Sequence, residues 1–209
     1  MKFLLTAALF AFTATATQAA IAVTNLNLPS TDGGWATYTD QFIASSFTVG
    51  NGAPQWSFES ADLLITNFRN VPVPIIVELH ADNGGSIGAT IIGLNFTDAP
   101  NGQAFLNFTS PSPILFDAGA TYWLTVTSPC PDSQVGWIYT DPNDVSETGE
   151  PDWSIRDSIA VSHDGGSTWT DFPGTNPGLY TINASPVPEP TTAVLALSML
   201  GLFVPRRRK

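Results

Sequence analysis

The sequence is poor in cysteine, histidine and basic residues. Its 209 residues include one cysteine, two histidines and seven basic residues, five of which lie at the two ends. Between residues 21 and 185 only Arg69 and Arg156 are cationic, against seventeen acids, which gives a formal charge of −15. So acidic a surface repels phosphate backbones, so nucleic acid is not an expected partner. One cysteine cannot close an internal disulfide, so we expect packing alone to hold a single domain.

Motifs for nucleophilic catalysis are also scarce. His80 and His163 are the only histidines, and residues 21–185 contain no lysine. A pair of carboxylates acting on a sugar stays open in so acidic a chain, because the distance between them is not visible in the sequence. We therefore expect a protein that is not an enzyme and has no cofactor, with a glycan hydrolase as the weaker alternative.

The first twenty residues have the layout of a secretory signal peptide. Lys2 precedes an apolar run over residues 3–12, and small residues follow up to Ala20. About ten apolar residues are too few to span a bilayer, which needs roughly 20. We expect export by the secretion machinery and cleavage by signal peptidase between Ala16 and Ala20.

Residues 186–209 have the layout of a membrane-anchoring tail. A proline-rich stretch leads into an apolar run over residues 191–204, and basic residues close the chain. The prolines oppose a helix before the run, so a single short hydrophobic helix is expected over the run itself. The basic residues would stay on the cytoplasmic side and leave the body outside the inner membrane.

The order of features in this tail resembles the PEP-CTERM sorting signal of bacterial surface proteins. The matching residues are Pro188, Glu189 and Pro190 in the motif and Arg206, Arg207 and Arg208 in the basic tail. The resemblance implies an exosortase, a membrane-embedded transpeptidase, as partner. It also implies cleavage near the motif and delivery to the cell surface or extracellular matrix.

The body between the two ends has the alternating pattern of β-strands. Ile75, Val77 and Leu79 share one face of one run, and Tyr122 and Leu124 share one face of another. Clusters rich in glycine, proline, asparagine and aspartate interrupt such runs about every ten residues. This pattern predicts an all-β domain over residues 21–185, with about nine or ten strands in an antiparallel β-sandwich of jelly-roll type.

Three segments of the body resemble the choice-of-anchor β-sandwich domains, especially type R. They are a strand with a glycine turn at residues 77–88, a turn with an aromatic strand at 117–126, and the stretch 153–169. The resemblance implies a sandwich fold and a surface location, and it implies no known activity.

A pattern within the last segment is similar to the Asp-box of sialidases. It consists of Ser162, Asp164, Gly166 and Trp169. Its physics is local, since the aspartate accepts amide hydrogen bonds, the glycine takes a positive φ and the tryptophan covers the hairpin. A sialidase also needs several arginines to hold a substrate carboxylate, which this body lacks. The pattern therefore predicts a structural turn.

One loop concentrates five carboxylates within twelve residues. They are Asp141, Asp144, Glu147, Glu150 and Asp152. Such a cluster is either a solvated acidic surface or a calcium site, because Ca²⁺ takes six to eight oxygen ligands. The spacing is not that of an EF-hand. We favour the solvated loop and keep calcium as the alternative; a calcium site elsewhere in the body, using Asp32, Asp40 or Asp82, is equally open.

Tryptophans provide candidate sugar contacts. Jelly rolls often bind polysaccharides through exposed aromatic rings, and the candidates here are Trp35, Trp56, Trp137 and Trp153. Tryptophans more often fill sandwich cores. We therefore expect an exported cell-surface or matrix protein. The alternative is a carbohydrate-binding module of the exopolysaccharide matrix, recognisable by a row of exposed tryptophans.

Overall fold

The computed structural model describes residues 20–69, 71–95, 97–131, 135–140 and 147–188. Residues 1–19 of the expected signal peptide, the apolar tail, Glu189, Pro190 and the terminal arginines lie outside these residues. Within them, no helix has the length and apolar character needed to span a membrane.

The described chain is all-β and forms two antiparallel sheets packed as a sandwich, as the alternating pattern predicts. Its sixteen strands are β1 (Ala20–Thr24), β2 (Ser30–Thr37), β3 (Phe42–Thr48), β4 (Gln55–Asn67), β5 (Val73–Asp82), β6 (Ile87–Gly93), β7 (Thr97–Ala99), β8 (Gly102–Thr109), β9 (Leu115–Asp117), β10 (Thr121–Thr127), β11 (Val135–Thr140), β12 (Thr148–Gly149), β13 (Ser154–Ile155), β14 (Ser158–Ser162), β15 (Thr170–Pro173) and β16 (Tyr180–Pro186). The expected count of nine or ten strands is too low. The difference comes largely from four strands of two or three residues, β7, β9, β12 and β13, which are too short to show an alternating pattern.

The first sheet is organised around the 13-residue strand β4. One edge of β4 pairs with β8 and β9, and its other edge pairs with β16 and then β11. Beyond these, β1 pairs with β16, β2 pairs with β11, and β12 pairs with β1. Strands distant in sequence are therefore neighbours, and the first described strand lies beside the last.

The second sheet is organised around β10, which lies between β3 and β5. The outer edge of β5 pairs with β6 and β7, and the outer edge of β3 pairs with β13 and β14. The strand β15 completes the sheet beside β14. In the register of this pair, Glu78, Leu79 and His80 of β5 lie opposite Thr125, Leu124 and Trp123 of β10. Successive residues along each strand point to opposite faces of the sheet.

The core between the sheets is rich in aromatic rings. The ring of Phe47 lies 5.5–6.5 Å, centroid to centroid, from those of Phe116, Tyr122, Trp153 and Tyr180. Large rings fill the space between two sheets with few gaps, and pairs at these separations attract one another. Burial raises the pKa of the Tyr180 hydroxyl, which donates a hydrogen bond to the backbone oxygen of Ser46.

Candidate functional site

The outer face of the second sheet carries a buried tryptophan. Trp123 alternates along β10 with the core residues Tyr122 and Leu124, so its side chain points away from the sandwich interior. Its neighbours across the sheet are Ser46 in β3 and His80 in β5. Trp123 is nevertheless only 1% exposed. Other parts of the chain must therefore fold over this face.

The turn between β5 and β6 provides one cover. The indole Nε1 of Trp123 donates a hydrogen bond to Oδ1 of Asp82 at 2.8 Å. The second carboxylate oxygen of Asp82 accepts the backbone N–H of Gly85 at 2.9 Å. Asp82 thus joins the turn to the central strand and fixes the orientation of the indole ring.

Arg156 covers the face of the indole ring. Its guanidinium carbon lies 5.6 Å from the centroid of the Trp123 ring, within cation–π distance. Nη2 of Arg156 forms an ion pair with Asp171 at 2.7 Å, and Nη1 donates to the backbone oxygen of Gly85 at 3.2 Å. The charge of Arg156 is therefore neutralised, and its side chain bridges the turn and β15.

An open groove of about 520 Å³ lies between these covers. One side is formed by the turn at residues 82–85 and the other by Ser154 and Arg156. Its floor consists of side chains from β3 and β10, and its lining residues are Ser46, Thr48, Asp82, Gly84, Gly85, Thr121, Trp123, Ser154 and Arg156. We call this feature the hydroxyl groove, because four of its lining side chains carry hydroxyl groups.

Ser46 is the distinctive residue of the hydroxyl groove. It is fully buried, and its Oγ has no hydrogen-bond partner among the described residues. By contrast, the hydroxyls of Thr48 and Thr121 bond to each other at 3.0 Å. Because leaving a buried hydroxyl unpaired is costly, Ser46 is a position where a ligand hydroxyl would be favoured.

His80 lies beside the hydroxyl groove on the same face. Its Nδ1 lies 3.3 Å from the backbone oxygen of Gly88, and its Nε2 lies 3.1 Å from Oγ1 of Thr125 and 3.3 Å from Oε2 of Glu78. Both ring nitrogens already have partners within the sheet. This arrangement fixes β5 against β10 and β6, and it leaves neither nitrogen pointing to an open site.

The first sheet has a different cavity. It is an apolar groove of about 310 Å³ on the outer face, lined mainly by Leu26, Leu28, Leu64, Phe105 and Leu179. Phe105 is 64% exposed at its rim. Ser30 and Gln103 add polar groups to this lining.

The Asp-box-like turn uses its polar groups internally. Oδ1 of Asp164 accepts the hydroxyl of Ser162 and the backbone N–H of Thr168, both at 2.8 Å, and Oδ2 accepts the hydroxyl of Thr168 at 2.7 Å. The pKa of Asp164 is lowered to about 2, chiefly by these Thr168 bonds. Gly166 takes a φ of 87°, and Trp169 packs edge-on against Phe42 at 6.5 Å.

The acidic loop is only partly described. Asp141 and Asp144 lie outside the described residues, whereas Glu147, Glu150 and Asp152 lie within them. Among the residues that are described, no group of three or more histidine, cysteine, aspartate or glutamate side chains could hold a metal ion.

Three of the four tryptophans considered as candidate sugar contacts lie in the core. Trp56, Trp137 and Trp153 are at most 5% exposed, and a ligand would reach them only if the sandwich opened. Trp35 is partly exposed at the edge of the sandwich, where its ring stacks with Phe172 at 6.2 Å. The described tryptophans therefore do not form an exposed row.

Sequence reasoning missed the hydroxyl groove. Two signals for it were present: Trp123 alternates with residues of the core face, and Arg156 is one of two cations in residues 21–185. Neither signal shows that Asp82, Ser46 and Arg156 meet. Their meeting depends on the pairing of β3, β10 and β5 and on the loop before β14.

No protein-family model matches the sequence, and no curated protein matches it.

Proposed function

We propose that this chain is an exported, exosortase-sorted component of the cell surface or extracellular matrix. In this proposal the body is a non-enzymatic, jelly-roll-type sandwich related to the choice-of-anchor domains, and residues 186–209 form a PEP-CTERM signal. The sorting motif in the tail and the signal-peptide pattern in the first twenty residues support export to the cell surface or matrix. Antiparallel pairing of sequence-distant strands, such as β4 with β16, supports the jelly-roll type.

The main structural support for this proposal is the position of the first and last strands of the sandwich. Ala20 in β1 pairs with Ala184 in β16, so both ends of the described chain leave the same sheet as neighbours. β16 ends at Pro186, the N–H of Val187 bonds to Gln55, and Pro188 is exposed. The motif thus begins immediately after a fixed strand, at an accessible place.

The spacing also restricts where cleavage can occur. Four residues separate Pro186 from the apolar run at 191–204. Fully extended, they span at most about 14 Å. An anchored precursor would hold its sandwich close to the bilayer, with the motif in the narrow gap, which suits a sorting enzyme embedded in the membrane.

The test is the fate of a Glu189→Gln variant in an exosortase-containing host. The wild-type chain is expected to lose its tail and leave the membrane fraction, while the variant accumulates as a full-length, membrane-bound precursor. A Glu150→Gln variant makes the same chemical change in the body and should be processed normally. Normal release of the Glu189 variant, or unchanged processing in an exosortase-deleted host, would refute the sorting proposal.

A second function, carbohydrate binding, is favoured by the hydroxyl groove. Its lining carboxylate suits binding better than hydrolysis, because both oxygens of Asp82 already accept hydrogen bonds. Asp171, which lies outside the lining, is paired with Arg156. A glycan hydrolase needs a protonated carboxyl group next to the scissile bond and a second, free carboxylate. The groove supports a module that holds sugar within a matrix.

A further inference from the structure

We propose that the hydroxyl groove binds a neutral sugar unit of a polysaccharide, with Ser46 as its central hydrogen-bonding residue. This inference rests on the second proposed function, carbohydrate binding, and is independent of the sorting signal.

The groove lining is suited to hydroxyl-rich ligands. Ser46, Thr48, Thr121 and Ser154 contribute hydroxyls, and each hydroxyl can donate one hydrogen bond and accept others. The bond between Thr48 and Thr121 engages only part of this capacity. A sugar ring presents the same donor and acceptor groups in return.

Ser46 identifies the point of contact. Ser46 is fully buried and lines the groove, and its hydroxyl has no partner in the described part of the chain, so a ligand reaches this hydroxyl only when neighbouring side chains of the groove move. The adjacent Ser45 is equally buried, but it points to the opposite face, where its hydroxyl interacts with that of Tyr180, because successive strand residues alternate. Ser45 and Ser46 thus lie on opposite faces of the same strand.

The charges of the groove favour a neutral ligand over an acidic one. Arg156 is its one cation among the described lining residues, and Asp171 already neutralises it at 2.7 Å. Asp82 adds a negative charge to the same lining. Together with the acidic body, these carboxylates repel uronic acids and sulfated sugars.

Trp123 acts as a positioning residue for this site. At 1% exposure its ring face is not open for stacking, since Arg156 lies over it. Its Nε1–H holds Asp82, and Asp82 holds the N–H of Gly85, so the indole fixes the wall of the groove. Preorganised walls reduce the entropy cost of binding.

The experiment uses purified residues 20–188, which contain both sheets and the core, with folding checked by thermal denaturation. Cellohexaose, laminarihexaose and mannohexaose serve as neutral probes, and oligogalacturonate serves as the acidic one. Binding is followed by NMR at millimolar probe concentrations. We expect a neutral probe to shift the Trp123 indole N–H signal, while oligogalacturonate does not.

The two serine variants provide the decisive comparison. Ser46→Ala should weaken binding about fivefold, the loss of one hydrogen bond, and Ser45→Ala should leave binding unchanged. The inference is overturned if no neutral probe binds, if oligogalacturonate binds as well, or if both variants bind like the wild type. Signal shifts near Trp35 instead of Trp123 would overturn this location. None of these results bears on tail cleavage, so the sorting proposal stands or falls separately.

Discussion

Gly178 lies directly against the indole ring of Trp137. A Cβ placed on Gly178 would stand 2.3 Å from Cε2 of Trp137, far inside van der Waals contact. Trp137 cannot move aside easily, because it is fully buried and its Nε1–H bonds to the backbone oxygen of Leu179 at 3.1 Å. The absence of a side chain at residue 178 lets the loop before β16 close over the core.

This contact predicts that Gly178→Ala destabilises the sandwich. Forcing a methyl group into a filled core typically costs about 1–3 kcal/mol of unfolding free energy. Gly93→Ala is the matched control, since a Cβ there meets nothing within 4 Å. Chemical denaturation measures both variants. Equal unfolding free energies for the two would show that Trp137 yields to the new methyl group at no cost.

A second prediction concerns the aromatic core. Phe47 is fully buried among four other rings, so Phe47→Ala should lower the unfolding free energy by about 3–5 kcal/mol. Phe105→Ala makes the same change at a residue that is 64% exposed and should have an effect within about 0.5 kcal/mol. Denaturant titration distinguishes them, and a small loss at Phe47 would contradict the packing described.

A third prediction concerns the pH dependence of the Asp-box-like turn. The pKa of Asp164 is lowered from 3.8 to about 2, so its ionised form stabilises the folded turn. That contribution is complete above pH 3.8 and is lost as the pH falls through about 2. The acid-induced loss of stability should therefore be smaller in Asp164→Asn than in the wild type over this range.

Thr168 provides the specific test of that assignment. Thr168→Val removes the hydroxyl bond that contributes most to the lowering and should raise the pKa of Asp164 in an NMR titration. Ser167→Ala is the control, because the Ser167 hydroxyl bonds to the backbone oxygen of Asp164 and not to its carboxylate. A pKa that rises equally in both variants would rule out Thr168 as the main cause.

Local pattern was enough for the fold class. Alternation in β5 and β10 identified Leu79 and Leu124 as residues of one buried face, and both are fully buried. A strand repeats every two residues, so the sequence records its two faces directly. The strands of two or three residues are too short to show this alternation. Their positions depend on pairing with longer neighbouring strands.

Tryptophan positions were less informative. The sequence does not distinguish a core tryptophan from an exposed one, because a strand presents large residues on either face. Trp56 and Trp153, considered as sugar contacts, lie 5.3 Å apart inside the core, centroid to centroid. Trp123 proved to be part of a groove, because the turn at 82–85 and Arg156 enclose the outer face of its strand.

The sequence by itself determined the charge and the alternation, and it contains the two terminal patterns from which export and surface sorting are proposed, since each is a local or compositional property. Only the tertiary structure decided which polar residues meet. Ser46, Asp82 and Arg156 belong to segments far apart in the chain and line one groove through the pairing of β3, β10 and β5. Such a site depends on long-range register and on loops that fold back over a sheet, and neither is encoded in any single stretch of sequence.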